Sequence, residues 1–336
     1  MGILIHKPGL LSSFQDLGRF GFQYLGVSVT GAMDALAHQM ANRIVGNRTD
    51  LATLEMTLIG PQLTLTAPCC IALSGADMQA TLDGLPMALN RPYIARRGQT
   101  LKLMSFVTGA RTYLAVMGGF ALDTVMNSQS TYLRSGMGGW QGRALKKDDE
   151  IPLQTPLPDN ETLLKKIEAA CWQVQLYLPL ALQLPNLNRE SVRVIASDQW
   201  PAFTTDSLDH FLSNPWRISR DSERMGYRLE GPKLALSQPK QMLSEVTSFG
   251  TIQVPVDGQP IILMADHQST GGYPKIATVA QVDLPTLAQR KPGDTVRFKL
   301  IDMAEAQRLD QLQQAAINHL AQPLEPVFKT FRPTFN

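Results

Sequence analysis

The chain has 336 residues, 44% of them hydrophobic, which is enough for two domains with substantial cores. Its 31 Lys and Arg nearly balance 29 Asp and Glu, leaving a net charge of +2. That balance recommends neither nucleic acid nor an anionic membrane as a partner, and the aromatics do not interleave with basic runs.

In chain order, a strand over Ile3 to His6 leads into SFQDLGRFGFQYLGV, where Gln15, Asp16 and Arg19 surround glycines. The clearest helix follows, Ala32 to Val45: Met33, Leu36, Ala37, Met40, Ala41, Ile44 and Val45 recur at helical spacing, and Gly46 stops it. His38 lies one turn beyond Asp34, which suits either a metal pair or a capping or solvated pair. Alternating segments at Gln62 to Thr66, Ile71 to Leu73, Thr100 to Ser105 and Thr112 to Val116 predict mostly antiparallel β structure.

The Gly-rich segment Gly118 to Gly142 then brings Ser128, Gln129, Ser130, Thr131, Tyr132 and Arg134 close together. Such a segment holds an anion through N–H groups and arginine, or it is a flexible surface loop. Leu153 to Asn188 reads as a linker with a short helix, Glu161 to Ala170, closed by Pro179 and Pro185. This places a first domain at 1–188, with the Gly-rich insertion and linker helix, and a second at 189–336. The second opens with a strand at Val192 and a helix around Ser207 to Leu212. It then reaches ISRDSERMGYRLEGP, in which Arg224 belongs to a salt-bridged hairpin face or to a site. Met303 to Gln322 predicts a polar amphipathic C-terminal helix for packing or for a partner.

The most polar loop is QPIILMADHQSTGGYPK, Gln259 to Lys275, where an apolar strand delivers Asp266, His267, Gln268, Ser269, Thr270, Tyr273 and Lys275. Gly271 and Gly272 permit positive φ and close approach by a ligand or another backbone. Asp266 leaves a buried strand, so burial and neighbours such as Lys275 are able to tune it. The plainer alternative is a tight hairpin whose polar groups satisfy their own backbone.

A repeat ties these segments together. QATLDGLP (Gln79 to Pro86) matches QVPVDGQP (Gln253 to Pro260); GPQLTL (Gly60 to Leu65) matches GPKLAL (Gly231 to Leu236); and ALKKDDEIPL resembles KPGDTVRFKL. Three landmarks in one order argue for two copies of one unit, mainly β with a few helices.

Cys69, Cys70 and Cys171 form neither a disulfide framework nor a metal-ligand spacing, which predicts buried free thiols in a reducing, cytoplasmic compartment. No targeting segment or membrane span is read from the sequence. There is no Gly-Lys dipeptide and hence no P-loop, no H-E-x-x-H and no G-x-S-x-G.

FQDLGRFGFQYLGVSVTGAMD, ANRIVGN, LEMTLIGPQL, ERMGYRLEGP, IQVPVDGQPIILMADHQSTGGYPKIATV and DLPTLAQRKPGDTVRF resemble, in order, the biotin-dependent carboxyltransferase family, also called allophanate hydrolase subunit 2. The resemblance runs through both halves. It implies two tandem cyclophilin-like β-barrel domains. For a free-standing chain of this length it implies a part in an ATP-dependent 5-oxoprolinase, which cleaves 5-oxo-L-proline to L-glutamate. The implied partners are a tightly bound homologue of the 5-oxoprolinase B subunit, and a homologue of its A subunit that is needed for activity. ATP, with Mg2+, is then used by the complex, and no metal or biotin is expected in this chain. The family also admits a urea-type carboxyltransferase component of a biotin-dependent carboxylase, or a non-catalytic regulator that binds a kinase-inhibitor homologue of the B subunit.

Under that reading Asp266 is the base or orienting carboxylate, and Lys275 and Arg224 stabilise developing negative charge. Gln253, Thr270, Gly271, Gly272 and Tyr273 position the small-molecule substrate, with Gln15, Asp16, Arg19 and Arg134 contributing from the other half or its partner interface. Two positions depart from the family pattern: Ser28 where proline is usual, and His267 where arginine is commonest. A neutral histidine does not supply a permanent positive charge.

Overall fold

The computed structural model describes residues 1–173, 191–238 and 242–321. The chain divides into two compact units. The described residues of Met1–Gly18, Asp34–Leu182 and Ala315–Asn336 form one, and those of Arg19–Met33 and Gln183–Gln314 form the other. The expected boundary at 188, with Pro179, Pro185 and Gln322, lies outside the described residues.

Unit 1 contains β1 (Gly2–Lys7), β2 (Leu11–Gln15), α1 (Ala35–Ile44), β3 (Thr53–Thr57), β4 (Gln62–Leu65), β5 (Cys69–Asp77) and β6 (Thr81–Leu82). It continues with β7 (Leu85–Pro86), β8 (Pro92–Ala95), β9 (Thr100–Lys102), β10 (Thr108–Val116), β11 (Glu150–Pro152) and α2 (Glu161–Gln173). Two sheets result, in the orders β11-β1-β4-β9-β6-β7 and β2-β3-β10-β5-β8. Alternation along the strands explains the core they share. Ile3, Ile5, Leu63, Leu65, Leu101 and Ile151 come from the first sheet, and Phe14, Leu54, Met56, Ile71, Leu73, Leu114 and Val116 from the second. Cys69, Cys70 and Cys171 are buried free thiols, and burial pushes Cys69 up to about 12.

The other face of the second sheet is polar. Ser13, Glu55, Tyr113 and Ser74 share one cross-strand row. Helix α1 caps this face and starts later than expected because Asp34 is its cap, accepting from the Ala37 N–H at 2.9 Å. The Asp34 N–H donates to Tyr113 Oη (2.8 Å), whose hydroxyl donates to Glu55 Oε2 (2.8 Å). His38 is buried, with Nδ1 2.8 Å from Thr53 Oγ1 and Nε2 2.9 Å from the Thr49 carbonyl. The Asp34 and His38 side chains therefore serve helix and sheet, and among the described residues no group of three or more His, Cys, Asp or Glu could hold a metal ion.

Unit 2 contains β12 (Ser191–Ala196), α3 (Thr205–Ser213), β13 (Trp216–Ile218), β14 (Gly226–Glu230), β15 (Glu245–Val246) and β16 (Thr251–Gln253). After these come β17 (Ile261–Leu263), β18 (Thr270–Gly271), β19 (Lys275–Val279), α4 (Leu284–Ala288), β20 (Thr295–Leu300) and the start of α5 (Met303–Ala321). Seven strands close a barrel in the order β12-β19-β16-β17-β14-β13-β20, with β20 returning parallel to β12. Closure removes the free edges. Val192, Val194, Trp216, Leu229, Ile252, Ile262, Ile276, Val296 and Phe298 fill it, joined by Phe211 of α3 and by Met33. Strands β15 and β18 stand apart as a two-stranded ribbon.

The repeated Asp-Gly motif lands on turns in both units with different geometry. Asp83 and Gly84, at φ 49° and 81°, make the two-residue connection between β6 and β7. Of the Asp257–Gly258 pair in unit 2, Gly258 alone has positive φ (80°), and its N–H closes on the Pro255 carbonyl at 2.9 Å. No helix among the described residues is long and apolar enough to cross a membrane.

Candidate functional site

The polar loop of unit 2 leaves β17 at Leu263 and reaches β19 at Lys275. Asp266 does not meet Lys275, as the sequence suggested. It meets Arg224, whose Nε donates to Oδ2 at 2.9 Å and Nη2 to Oδ1 at 2.8 Å, with both side chains 5% exposed. Arg224 Nη2 also donates to the Gly31 carbonyl at 2.7 Å. This two-pronged geometry engages both carboxylate oxygens, and through it Asp266 holds its loop in register. Ionic charge is cancelled within the pair, and the Arg224 guanidinium is correspondingly committed.

The segment Arg19–Met33 belongs to this unit and braces the same loop. Ser28 Oγ donates to the His267 carbonyl at 2.7 Å. Arg19 is wholly buried, with Nη1 donating to Thr30 Oγ1 (2.8 Å) and its N–H to the Val29 carbonyl (2.8 Å). Arg19 is therefore a brace for the turn that carries Ser28 and Gly31. His267 is buried, and its Nδ1 donates to the Met264 carbonyl at 2.8 Å. Burial pushes its imidazole below the ordinary histidine value, against the opposing pull of the Met264 and Thr247 backbone. The ring is neutral at pH 7, so no fixed positive charge stands at this position.

Lys275 points to the ribbon. Its Nζ donates to Glu245 Oε2 at 3.0 Å and to the Val246 carbonyl at 2.7 Å. Gln199 Nε2 donates to the same Glu245 oxygen at 3.0 Å, and Gln199 Oε1 accepts from the Lys275 N–H at 2.7 Å. The ribbon is pinned at its other end by Thr247, which donates through Oγ1 to the Gln268 carbonyl (2.5 Å) and through N–H to that of Ser269 (3.0 Å).

Beneath the ribbon lies Gln253, 5% exposed, whose Nε2 has no hydrogen-bond partner. Gly271 explains how it fits: a Cβ there would lie 2.4 Å from that nitrogen. Neither Gly271 nor Gly272 uses positive φ, contrary to expectation; close approach is what Gly271 supplies. Thr270 is exposed on the ribbon and Tyr273 is half exposed beyond it.

In unit 1 the hydroxyl-rich segment does grip an anion, and the anion is Asp16. Its Oδ1 accepts from Ser128 Oγ (2.8 Å), Ser130 Oγ (2.5 Å) and the Gly18 N–H (2.8 Å), and its Oδ2 from the Gln129 N–H (2.6 Å). Ser128, Ser130 and Thr131 are buried, which corrects the reading of a flexible surface loop. Gln15 is fully buried, its Nε2 donating to Ser13 Oγ (3.0 Å) and the Thr131 carbonyl (3.3 Å), while Oε1 has no partner. Arg134 is exposed on the turn after Tyr132.

Sequence reading missed Gln199, Glu245 and Thr247. No local signal marks them, because Gln199 and Lys275 are 76 residues apart and meet only through barrel register.

A family model for the carboxyltransferase domain, subdomains A and B, matches residues 25–300. The chain is 38% identical over 309 residues to the C subunit of 5-oxoprolinase from Haemophilus influenzae, covering 92% of this chain and 94% of that one. It is 35% identical over 317 residues to the corresponding 5-oxoprolinase chain of Escherichia coli, covering 94% and 97%. Among solved structures, the urea amidolyase of K. lactis superposes with a TM-score of 0.83 at 29% identity. That match covers 95% of this chain and 20% of the other, so the chain corresponds to about a fifth of that longer protein.

Proposed function

Since the chain belongs to the carboxyltransferase-domain family, subdomains A and B, we propose that it is the C subunit of an ATP-dependent 5-oxoprolinase complex, cleaving 5-oxo-L-proline to L-glutamate. The observation that carries this reading is identity: 38% and 35% to two relatives named as the C subunit of 5-oxoprolinase, against 32% to a urea amidolyase of Lachancea kluyveri. In the complex the chain works in the cytoplasm with homologues of the B and A subunits of 5-oxoprolinase.

In this reading ATP phosphorylates the amide oxygen of the lactam and ADP leaves; water adds to the activated carbon, the ring nitrogen takes a proton and departs as the amine, and a second water releases phosphate from the acyl phosphate. Donors must meet the developing negative charge. In this chain Thr270 and Tyr273, at the exposed edge of the loop, are the candidates for that role, while Lys275 Nζ and Gln253 Nε2 are candidate contacts to the rest of the substrate. Arg224 and Asp266 keep that loop in place. ATP with Mg2+ belongs to the complex.

The test is glutamate release from 5-oxo-L-proline and ATP by this chain mixed with its B and A partners, each left out in turn. Activity is expected only in the full mixture. No activity with the B partner still bound overturns the reading. A second reading, carboxyl transfer from biotin to a urea-type substrate, is favoured by the 0.83 superposition on urea amidolyase. It requires a separate biotin carboxylase and a biotinylated carrier, and carboxylation in their presence would establish it.

A further inference from the structure

Glu245 Oε2 accepts from an ammonium and from an amide N–H, each at 3.0 Å. That is the pattern of a bound carboxylate, supplied here by the protein's own ribbon. The arrangement is loosely held, because the Glu245 side chain is 48% exposed and the Lys275 side chain 18% exposed, and ion pairs open to solvent contribute little. Gln199 is the better fixed donor, since its Oε1 is anchored on the Lys275 N–H at 2.7 Å.

Gln253 is the second and independent observation. It is the cross-strand partner of Lys275, only 5% of it is exposed, and its Nε2 donates to nothing. An amide donor buried without an acceptor is costly, and its retention needs a reason. Gly271 lies directly against this nitrogen, so the donor is covered by the same ribbon that carries Glu245.

We propose that Lys275, Gln199 and Gln253 form a subsite for the carboxylate of a small ligand. Glu245 is its internal stand-in, displaced when the ligand binds and the β15–β18 ribbon shifts off Gln253. Recognition of a carboxylate follows from these donors alone; that the acid is 5-oxo-L-proline rests on the function proposed above.

The experiment uses the full chain, following the side-chain amide resonances of Gln199 and Gln253 by NMR. It is titrated with 5-oxo-L-proline, with the corresponding carboxamide, and with acetate and propionate. The expected result is a selective shift of both amides by 5-oxo-L-proline and not by the carboxamide. Glu245→Ala should bind about tenfold tighter, because the competing carboxylate is gone, and Lys275→Met at least tenfold weaker. Shifts with acetate and propionate but not with 5-oxo-L-proline would keep the subsite and remove the oxoprolinase reading. No shift with any carboxylate in either the native chain or a folded Glu245→Ala variant overturns the proposal, as does equal response to acid and carboxamide.

Discussion

Asp16 and Asp266 are both buried carboxylates in loops, and they are satisfied by opposite means. Asp16 collects neutral donors, two serine hydroxyls and two backbone N–H groups. Asp266 is matched to one guanidinium, which itself reaches on to the Gly31 carbonyl. The difference between them is what each would leave behind if removed: around Asp16, groups able to find other partners; around Asp266, a buried positive charge.

The largest expected effect follows from that charge. Asp266→Ala should cost about 3–5 kcal/mol in denaturant unfolding, because Arg224 stays buried and uncompensated. The double variant with Arg224→Met should recover much of this. A loss for the single variant no greater than that of the double would show that the pair is not acting as a unit.

Asp16→Asn should cost less, about 1–3 kcal/mol, since the loss is of hydrogen bonds strengthened by charge and no opposite charge is stranded. It should also move the acid limb of stability. Burial holds His38 down at about 4, from an ordinary 6.5, and the charge of Asp16 is the largest influence opposing that shift. The unfolded chain binds the extra proton between those values, so stability is complete above 6.5 and is lost as pH falls toward about 4. Without the Asp16 charge the folded histidine protonates still later, and the limb should extend to lower pH. His38→Gln should remove this limb, which unfolding curves at stepped pH would reveal.

The smallest effect belongs to Ser28. Ser28→Ala deletes one hydrogen bond to a backbone carbonyl and should cost about 1 kcal/mol. If it instead matched Asp266→Ala, the brace from Arg19–Met33 would outweigh the ion pair in holding the loop.

The amino-acid sequence by itself determined much of the fold. Alternation marked β4, β9, β10 and part of β5 in unit 1, and helical spacing marked α1. It also singled out Gln253, Asp266, Lys275 and Arg224 as candidates, because strand ends and glycine-bearing loops are local features. The pairings were decided by tertiary structure. Arg224 finds Asp266 across 42 residues, Gln199 finds Lys275 across 76, and Ser28 finds His267 across 239. Side-chain chemistry is written residue by residue, but which donor meets which acceptor depends on barrel register and on how the chain returns, and these exist only after folding.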